Sequence, residues 1–152
     1  NAGRWAMVIL APGELPAASD RKRYLEAAAA FEKVAAQGDA GRAFDAAVGT
    51  WPDEPLAWIG RGTAKYRERQ FSAAAADYGS ALQLDPDNPG ARNNLAMALL
   101  KQGCPHSARR QLDRIDRASL GDSLRESIAD TSRLIDAGMS HPDLPSCDPD
   151  LR

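Results

Sequence analysis

The stretch that decides the fold runs from residue 55 to residue 88 and reads PLAWIGRGTAKYRERQFSAAAADYGSALQLDPDN. Alanine is abundant in it, and alanine favours closely packed helices because it is slim and loses little side-chain entropy. Pro86 ends the second half of the stretch, since proline cannot donate the next helical hydrogen bond. The stretch therefore predicts two helices, at 55–68 and 71–84, joined by a short turn.

Residue types recur every thirty-four positions on both sides of this stretch. Three units follow one another without an insertion, at about 21–54, 55–88 and 89–117. Small, large apolar and proline positions all keep this spacing, which makes accidental periodicity in a generic helical bundle a poor explanation. The small residues are Ala28, Gly62 and Ala96 with Ala40, Ala74 and Ala108, the large ones are Phe44, Tyr78 and Leu112, and the prolines are Pro52 and Pro86.

This period and these residue types resemble the tetratricopeptide repeat. The middle unit carries the family's pattern best, and only Arg61 departs from it, because a leucine is usual there. The resemblance implies an all-α fold, a right-handed superhelix of three helical hairpins. Small residues would lie where the two helices of a hairpin cross closely, and large apolar ones would fill the space between hairpins. The matching positions of the middle unit are Trp58, Gly62, Ala74, Tyr78, Ala81 and Pro86.

Outside the middle unit we predict helices at 20–36, 39–49, 88–102 and 105–116, followed by a capping helix at about 121–137. Leu124, Ile128 and Ile135 form an apolar stripe on the capping helix. Ser123 and Glu126 have the form of a capping box, and Gly138 is a natural stop. The repeat domain would thus span 20–138. Residues 139–152 contain three prolines and little apolar content, so we expect a flexible tail.

Composition excludes several classes of partner. The net charge is −2, which points neither to nucleic acid nor to an anionic membrane surface. No apolar run is long enough to cross a bilayer. The resemblance to the tetratricopeptide repeat implies that the partner is a protein or a peptide, and the residues alone do not indicate a compartment.

Residues capable of catalysis or metal binding are few. The thiols are Cys104 and Cys147, and the histidines are His106 and His141. Cys104 and His106 are close in sequence but lack an evident third group to orient them, so we predict no catalytic site. The four residues match no familiar zinc spacing, so we predict neither a metal nor another cofactor. A disulfide between the two cysteines, tying the tail back, is an open alternative if the protein is exported.

The resemblance also implies where a ligand would bind, because the first helix of each tetratricopeptide unit lines the concave face. In unit one the corresponding positions are Leu25, Ala29, Glu32 and Lys33. Some modules of this family clamp a terminal carboxylate, but Leu25 and Glu26 stand where such a clamp needs cationic or amide groups, so we do not predict that mode. The predicted peptide-binding residues are Ile59, Thr63, Tyr66, Arg67, Asn93, Asn94, Met97, Leu100 and Lys101.

The segment WAMVILAPGELP, residues 5–16, differs from everything that follows. Its apolar run predicts a short β-like strand within an N-terminal extension, residues 1–19. The segment and the repeats after it resemble the C-terminal extension of bacterial papain-like cysteine peptidases related to bacteriocin-leader peptidases. That resemblance implies an upstream peptidase domain and a periplasmic or cell-envelope location.

An unpaired apolar strand could also pair with a second copy of the chain and form a homodimer, or dock as an arm on unit one. The expected function is recognition of a peptide or protein on the concave face, in service of the peptidase domain and without catalysis in this chain. The alternative is a structural appendage that braces that domain or mediates self-association.

Overall fold

The computed structural model describes residues 21–32 and 37–140, and every described element is helical. The predicted strand, the rest of segment 1–19 and most of the predicted tail lie outside these residues. The helices are α1 (Arg21–Glu32), α2 (Gln37–Thr50), α3 (Pro55–Arg67), α4 (Phe71–Leu84), α5 (Pro89–Lys101), α6 (Pro105–Leu112) and α7 (Asp122–Met139).

Three antiparallel hairpins, α1–α2, α3–α4 and α5–α6, follow one another as the period predicts, and α7 packs on the last of them. Their ends have identifiable causes. The Asn88 side chain accepts a hydrogen bond from the backbone N–H of Ala91 and so caps α5. Gly103 has a φ of +79° between α5 and α6, a conformation that glycine adopts without steric cost.

Several helix ends differ from the sequence prediction. Helix α2 begins at Gln37, two residues before its predicted start. Helix α6 ends at Leu112, four residues before its predicted end. Helix α7 has Gly121 at its N-cap and no side-chain capping bond, so the Ser123 capping box is wrong, and the helix continues through Gly138 to Met139. Such ends depend on local packing that periodicity does not encode.

The small positions of the repeat lie where the helices meet closely. A Cβ atom on Gly62 of α3 would approach the Tyr78 ring of α4 to 2.8 Å, which is closer than real Cβ contacts allow. Glycine therefore permits the crossing within this hairpin. Phe44 of α2 lies against α3 of the next hairpin in the same way, as predicted for the large apolar positions.

The buried side chains form two clusters. The N-terminal core lies within α1, α2 and the start of α3 and contains Tyr24, Leu25, Ala28, Ala43, Phe44, Ala47, Val48, Trp51 and Ala57. The C-terminal core is built from α4 to α7 and contains Ala74, Tyr78, Leu95, Ala96, Ala98, Leu99, Cys104, Ala108, Leu112, Ile115, Leu120, Ile128 and Ile135. Helix α3 separates the two and packs on both.

Helix α7 covers the end of the third hairpin, as a capping helix should. Ile128 and Ile135 of its predicted apolar stripe are 1% and 0% exposed, while the adjacent Leu134 is 51% exposed. Arg109 of α6 donates to the Ser132 hydroxyl at 2.7 Å and pairs with Asp136, which attaches α7 by polar contacts as well. The predicted apolar stripe of α7 is therefore the face that packs on the third hairpin.

Candidate functional site

The first helices of the hairpins form the inner layer of the domain. Helix α1 contacts α3, α3 contacts α5, and α5 contacts α7. Within the described part of the chain, α2, α4 and α6 make no such contacts with one another. A stack whose first helices touch while its second helices diverge is curved toward the first helices. The inner face is therefore the face of α1, α3, α5 and α7.

A cavity of about 410 Å³ opens on this face between α1 and α3, and we refer to it as the α1–α3 pocket. Two predicted groove residues, Ile59 and Thr63, line it, and so do Leu25 and Ala29 of unit one. The structure thus brings these positions together. The remaining lining residues are Arg21, Lys22, Glu26, Phe44, Glu54, Leu56 and Gly60.

The pocket depends on a glycine that the sequence analysis did not single out. Gly60 is buried, and a Cβ atom placed on it would come within 2.1 Å of the Phe44 ring. The missing side chain lets the ring lie directly behind α3 at the pocket. Leu56, one turn earlier, is 55% exposed. In the sequence, Gly60 could have been noticed as a second glycine two residues before Gly62, the glycine that belongs to the repeat pattern.

Charges lie at the pocket's rim, and the cations have carboxylate neighbours. Arg21 lies 3.5 Å from a carboxylate oxygen of Asp53 and 3.6 Å from one of Glu54. Lys22 lies 3.9 Å from a carboxylate oxygen of Glu26. The rim is therefore close to neutral, and it does not form a cationic cluster.

The middle of the inner face, on α3, is held by contacts with α4. Thr63 donates to the carbonyl oxygen of Ile59 at 2.9 Å and accepts a hydrogen bond from the Tyr78 hydroxyl at 3.2 Å. Tyr66 packs edge to face on Phe71, with ring centroids 5.2 Å apart, and burial raises the pKa of its phenol. Arg67, at the end of α3, is exposed.

On α5 the predicted residues divide into two groups. Asn94 and Met97 are half-buried and Lys101 is exposed, so their side chains remain accessible. Asn93 is only 5% exposed, and its amide donates to the Ser127 hydroxyl of α7 at 3.2 Å. The capping helix therefore covers this predicted peptide-contacting residue, and its role in binding stays a prediction. Leu100 packs against the C-terminal core near Gly138 of α7.

A buried ion-pair network lies behind this face, and the sequence showed only one sign of it, the unusual Arg61. The Arg61 guanidinium donates two hydrogen bonds to the Asp77 carboxylate, at 2.9 and 2.7 Å. It also lies over the Trp58 ring, 4.7 Å from its centroid. Lys65 approaches the same carboxylate to 2.8 Å. Hydrogen bonding to Asp77 raises the pKa of Arg61, so this group stays charged.

Of the candidate catalytic or metal-binding residues, the structure describes Cys104 and His106. Cys104 is disulfide-bonded and 5% exposed, while His106 is exposed. The chain's other cysteine, Cys147, lies outside the described residues, as does His141. No group of three potential metal ligands occurs among the residues that the structure describes. No described helix is both long and apolar enough to cross a membrane.

Solved structures with a similar fold are tetratricopeptide domains. The complex of the TPR2B domain of yeast Sti1 with pHsp70 aligns with a TM-score of 0.70 at 20% identity, over 78% of this chain and 98% of that one. The first tetratricopeptide domain of Spaghetti (RPAP3), bound to the HSP90 peptide SRMEEVD, gives 0.69 at 16%, over 82% and 97%. The Sgt2 domain from Aspergillus fumigatus gives 0.68 at 18%, over 90% and 92%.

Sequence comparison identifies the same repeat. No curated protein matches the chain. Two family models described as tetratricopeptide repeat match it, one over residues 38–89 and the other over residues 65–125. Together they cover the chain from residue 38 to residue 125, more than half of its 152 residues. With the thirty-four-residue period and the seven described helices, these matches show that the chain belongs to the tetratricopeptide repeat proteins.

Proposed function

We propose that this domain is an interaction module that binds a peptide or a protein segment on its inner face. The observation that carries the proposal is the α1–α3 pocket, an open and largely apolar cavity on the layer of first helices. One domain of similar fold is described in complex with pHsp70, and another is described bound to the HSP90 peptide SRMEEVD. These domains are less than 25% identical to this chain, so they support the kind of function and not the ligand.

The accessible residues of α3 and α5 suit an extended peptide. A side-chain amide such as that of Asn94 can both donate to and accept from a peptide backbone. Met97 offers an adaptable apolar contact. Arg67 and Lys101 would attract carboxylates of the partner, as cations at the edge of a groove commonly do.

The first test uses peptides selected from a random heptapeptide library on the immobilised full chain. Asn94→Ala combined with Met97→Ala should weaken the selected peptides about tenfold or more, because both half-buried side chains would contact the ligand. Tyr66 is a less suitable target than Met97, because its ring packs on Phe71 and its loss would disturb the fold. Affinities would be measured by fluorescence anisotropy.

The matched control is Gln83→Ala with Leu84→Ala, an amide and an apolar residue at exposed positions at the end of α4. This pair should leave the affinity unchanged. If the two pairs have equal effects, or if the α5 pair has none, recognition on the inner face is wrong. A structural appendage with no separate partner would then be the better description.

We further propose, from the resemblance of residues 5–16 and the repeats after them, that the module serves a cysteine peptidase domain. The test is amide hydrogen exchange of residues 5–11 together with the solution mass of the chain. Slow exchange in a dimer would support a strand that has lost its sheet and has paired with a second copy. Slow exchange in a monomer would instead indicate an arm docked on its own helices and would argue against the peptidase link.

A further inference from the structure

We infer that the α1–α3 pocket is the specificity-determining subsite of the inner face, and that it takes one bulky, uncharged apolar side chain of a partner peptide. This inference rests on the proposed function and adds the chemistry of the ligand to it. No part of it comes from the α5 residues on which the preceding test depends.

The shape of the pocket comes from missing side-chain volume. Gly60 has no side chain, so the Phe44 ring lies where its Cβ atom would be, and Ala29 contributes only a methyl group to the lining. The Phe44 ring closes the cavity behind Gly60, and Leu25 and Ile59 supply further apolar surface. The resulting space of about 410 Å³ falls within the range of small-ligand sites and exceeds what a single water molecule needs.

The charges select against an ionised occupant. Arg21 and Lys22 each lie within 4 Å of a carboxylate oxygen, so neither brings an uncompensated positive charge to the rim. A carboxylate that entered the pocket would lose its hydration without gaining a new cationic partner, which is costly. An ammonium group would meet the same apolar walls. An uncharged apolar side chain, such as that of leucine, methionine or phenylalanine, therefore suits the neutral rim and the apolar interior.

The pocket is also open to such a side chain. Leu56, which lines it, is 55% exposed, so its side chain is accessible to a partner. Ala29 is exposed as well. A side chain from a partner would cover both residues and remove their apolar surface from water, which provides the driving force for binding.

The test titrates the full chain with capped peptides of the form acetyl-Gly-Ser-Gly-X-Gly-Ser-Gly-amide, in which X is Leu, Phe, Ala or Glu. Binding would be followed by the ¹H–¹⁵N NMR shifts of Ala29, Leu56 and Thr63. The Leu and Phe peptides should shift these amides and should bind about tenfold or more tightly than the Ala and Glu peptides, because only they fill the cavity. Equal affinities, or tighter binding of the Glu peptide, would overturn the inference.

Two variants locate the binding. Ala29→Trp fills the pocket from an exposed helix position and should abolish the shifts caused by the Leu peptide. Its matched control, Ala76→Trp, places the same side chain at an exposed position of α4 and should leave them intact. Leu56→Ser, at a residue that is already exposed, should weaken the Leu peptide severalfold without introducing a bulky group. The inference fails if the control acts like Ala29→Trp, or if neither pocket variant reduces binding.

One competing occupant is the chain's own apolar run at residues 5–10, which ends eleven residues before Arg21 of the pocket. If the Leu peptide binds only after Val8→Asp, that segment is the occupant and the inference is overturned. The wider proposal is tested separately. If library-selected peptides bind more weakly to the Asn94→Ala, Met97→Ala variant but equally well to Ala29→Trp, the subsite is wrong and the proposed function stands. If no peptide binds on the inner face, the subsite and the proposed function are both wrong.

Discussion

At the scale of single residues, the unusual feature of the molecule is a charged side chain at a position that a leucine usually occupies. Arg61 is part of a network in which Asp77, only 3% exposed, receives two hydrogen bonds from Arg61 and an ion pair from Lys65. A carboxylate removed from water in this way depends on its partners. The network joins α3 to α4 and, through a 3.7 Å approach of Arg61 to Asp45, to α2.

Restoring leucine at position 61 should destabilise this protein even though leucine is usual there. We expect Arg61→Leu to lower the free energy of unfolding by about 1–3 kcal/mol, because Asp77 stays buried with Lys65 as its remaining partner. Combining it with Asp77→Ala should cost less than the sum of the two single changes, since the double variant removes both the buried carboxylate and the guanidinium and leaves only Lys65, whose side chain is 26% exposed, without its partner. Urea denaturation of the four proteins measures the coupling.

The control is Arg133→Leu, which removes an ion pair with Asp130 on the exposed side of α7 and should change stability by no more than about 0.5 kcal/mol. Additive effects at positions 61 and 77 would show that the network contributes no coupling. The sequence could identify Arg61 as an exception to the repeat but not its partner. Asp77 lies sixteen residues away, and only the crossing of α3 and α4 brings the two together.

At the scale of the helices, repetition made most of the fold predictable. Helix α4 has its predicted ends, and α7 buries the predicted stripe, because both follow from apolar spacing. The burial of Asn93 could not be predicted in the same way, since it depends on where the capping helix lies against α5. The sequence likewise predicts only some of the residues that line the α1–α3 pocket. These residues come from three helices, and one of them, the buried Gly60, leaves room for the Phe44 ring.

The capping helix should contribute to stability mainly through its buried stripe. Ile135→Ala should lower the free energy of unfolding by about 2–5 kcal/mol, because the side chain is fully buried and its removal leaves a cavity. The neighbouring Leu134→Ala removes a side chain that is 51% exposed and should cost well under half as much. Thermal and urea denaturation would compare the two. Equal costs would mean that α7 does not pack in the orientation described here.

At the scale of the whole molecule, the division of the interior into two cores has consequences for cooperativity. In a stack of repeats each unit is stabilised mainly by its neighbours. The N-terminal core has a described neighbour on one side, through α3, whereas the second hairpin packs between two others. The hairpin α1–α2 should therefore open locally at a lower free energy than the rest of the domain.

Native-state hydrogen exchange of the full chain tests this division. Phe44→Leu, a modest change in the N-terminal core, should accelerate exchange of α2 amides about tenfold for each 1.4 kcal/mol lost, while amides of α5 and α6 keep their rates. Leu112→Ala, in the C-terminal core, is the reciprocal variant and should accelerate exchange in α5 and α6 more than in α2. If either substitution accelerates exchange uniformly in all these helices, the two cores unfold as one cooperative unit. A ligand seated between α1 and α3 would contact both hairpins, so its binding should slow the local opening of α1–α2 in proportion to its affinity.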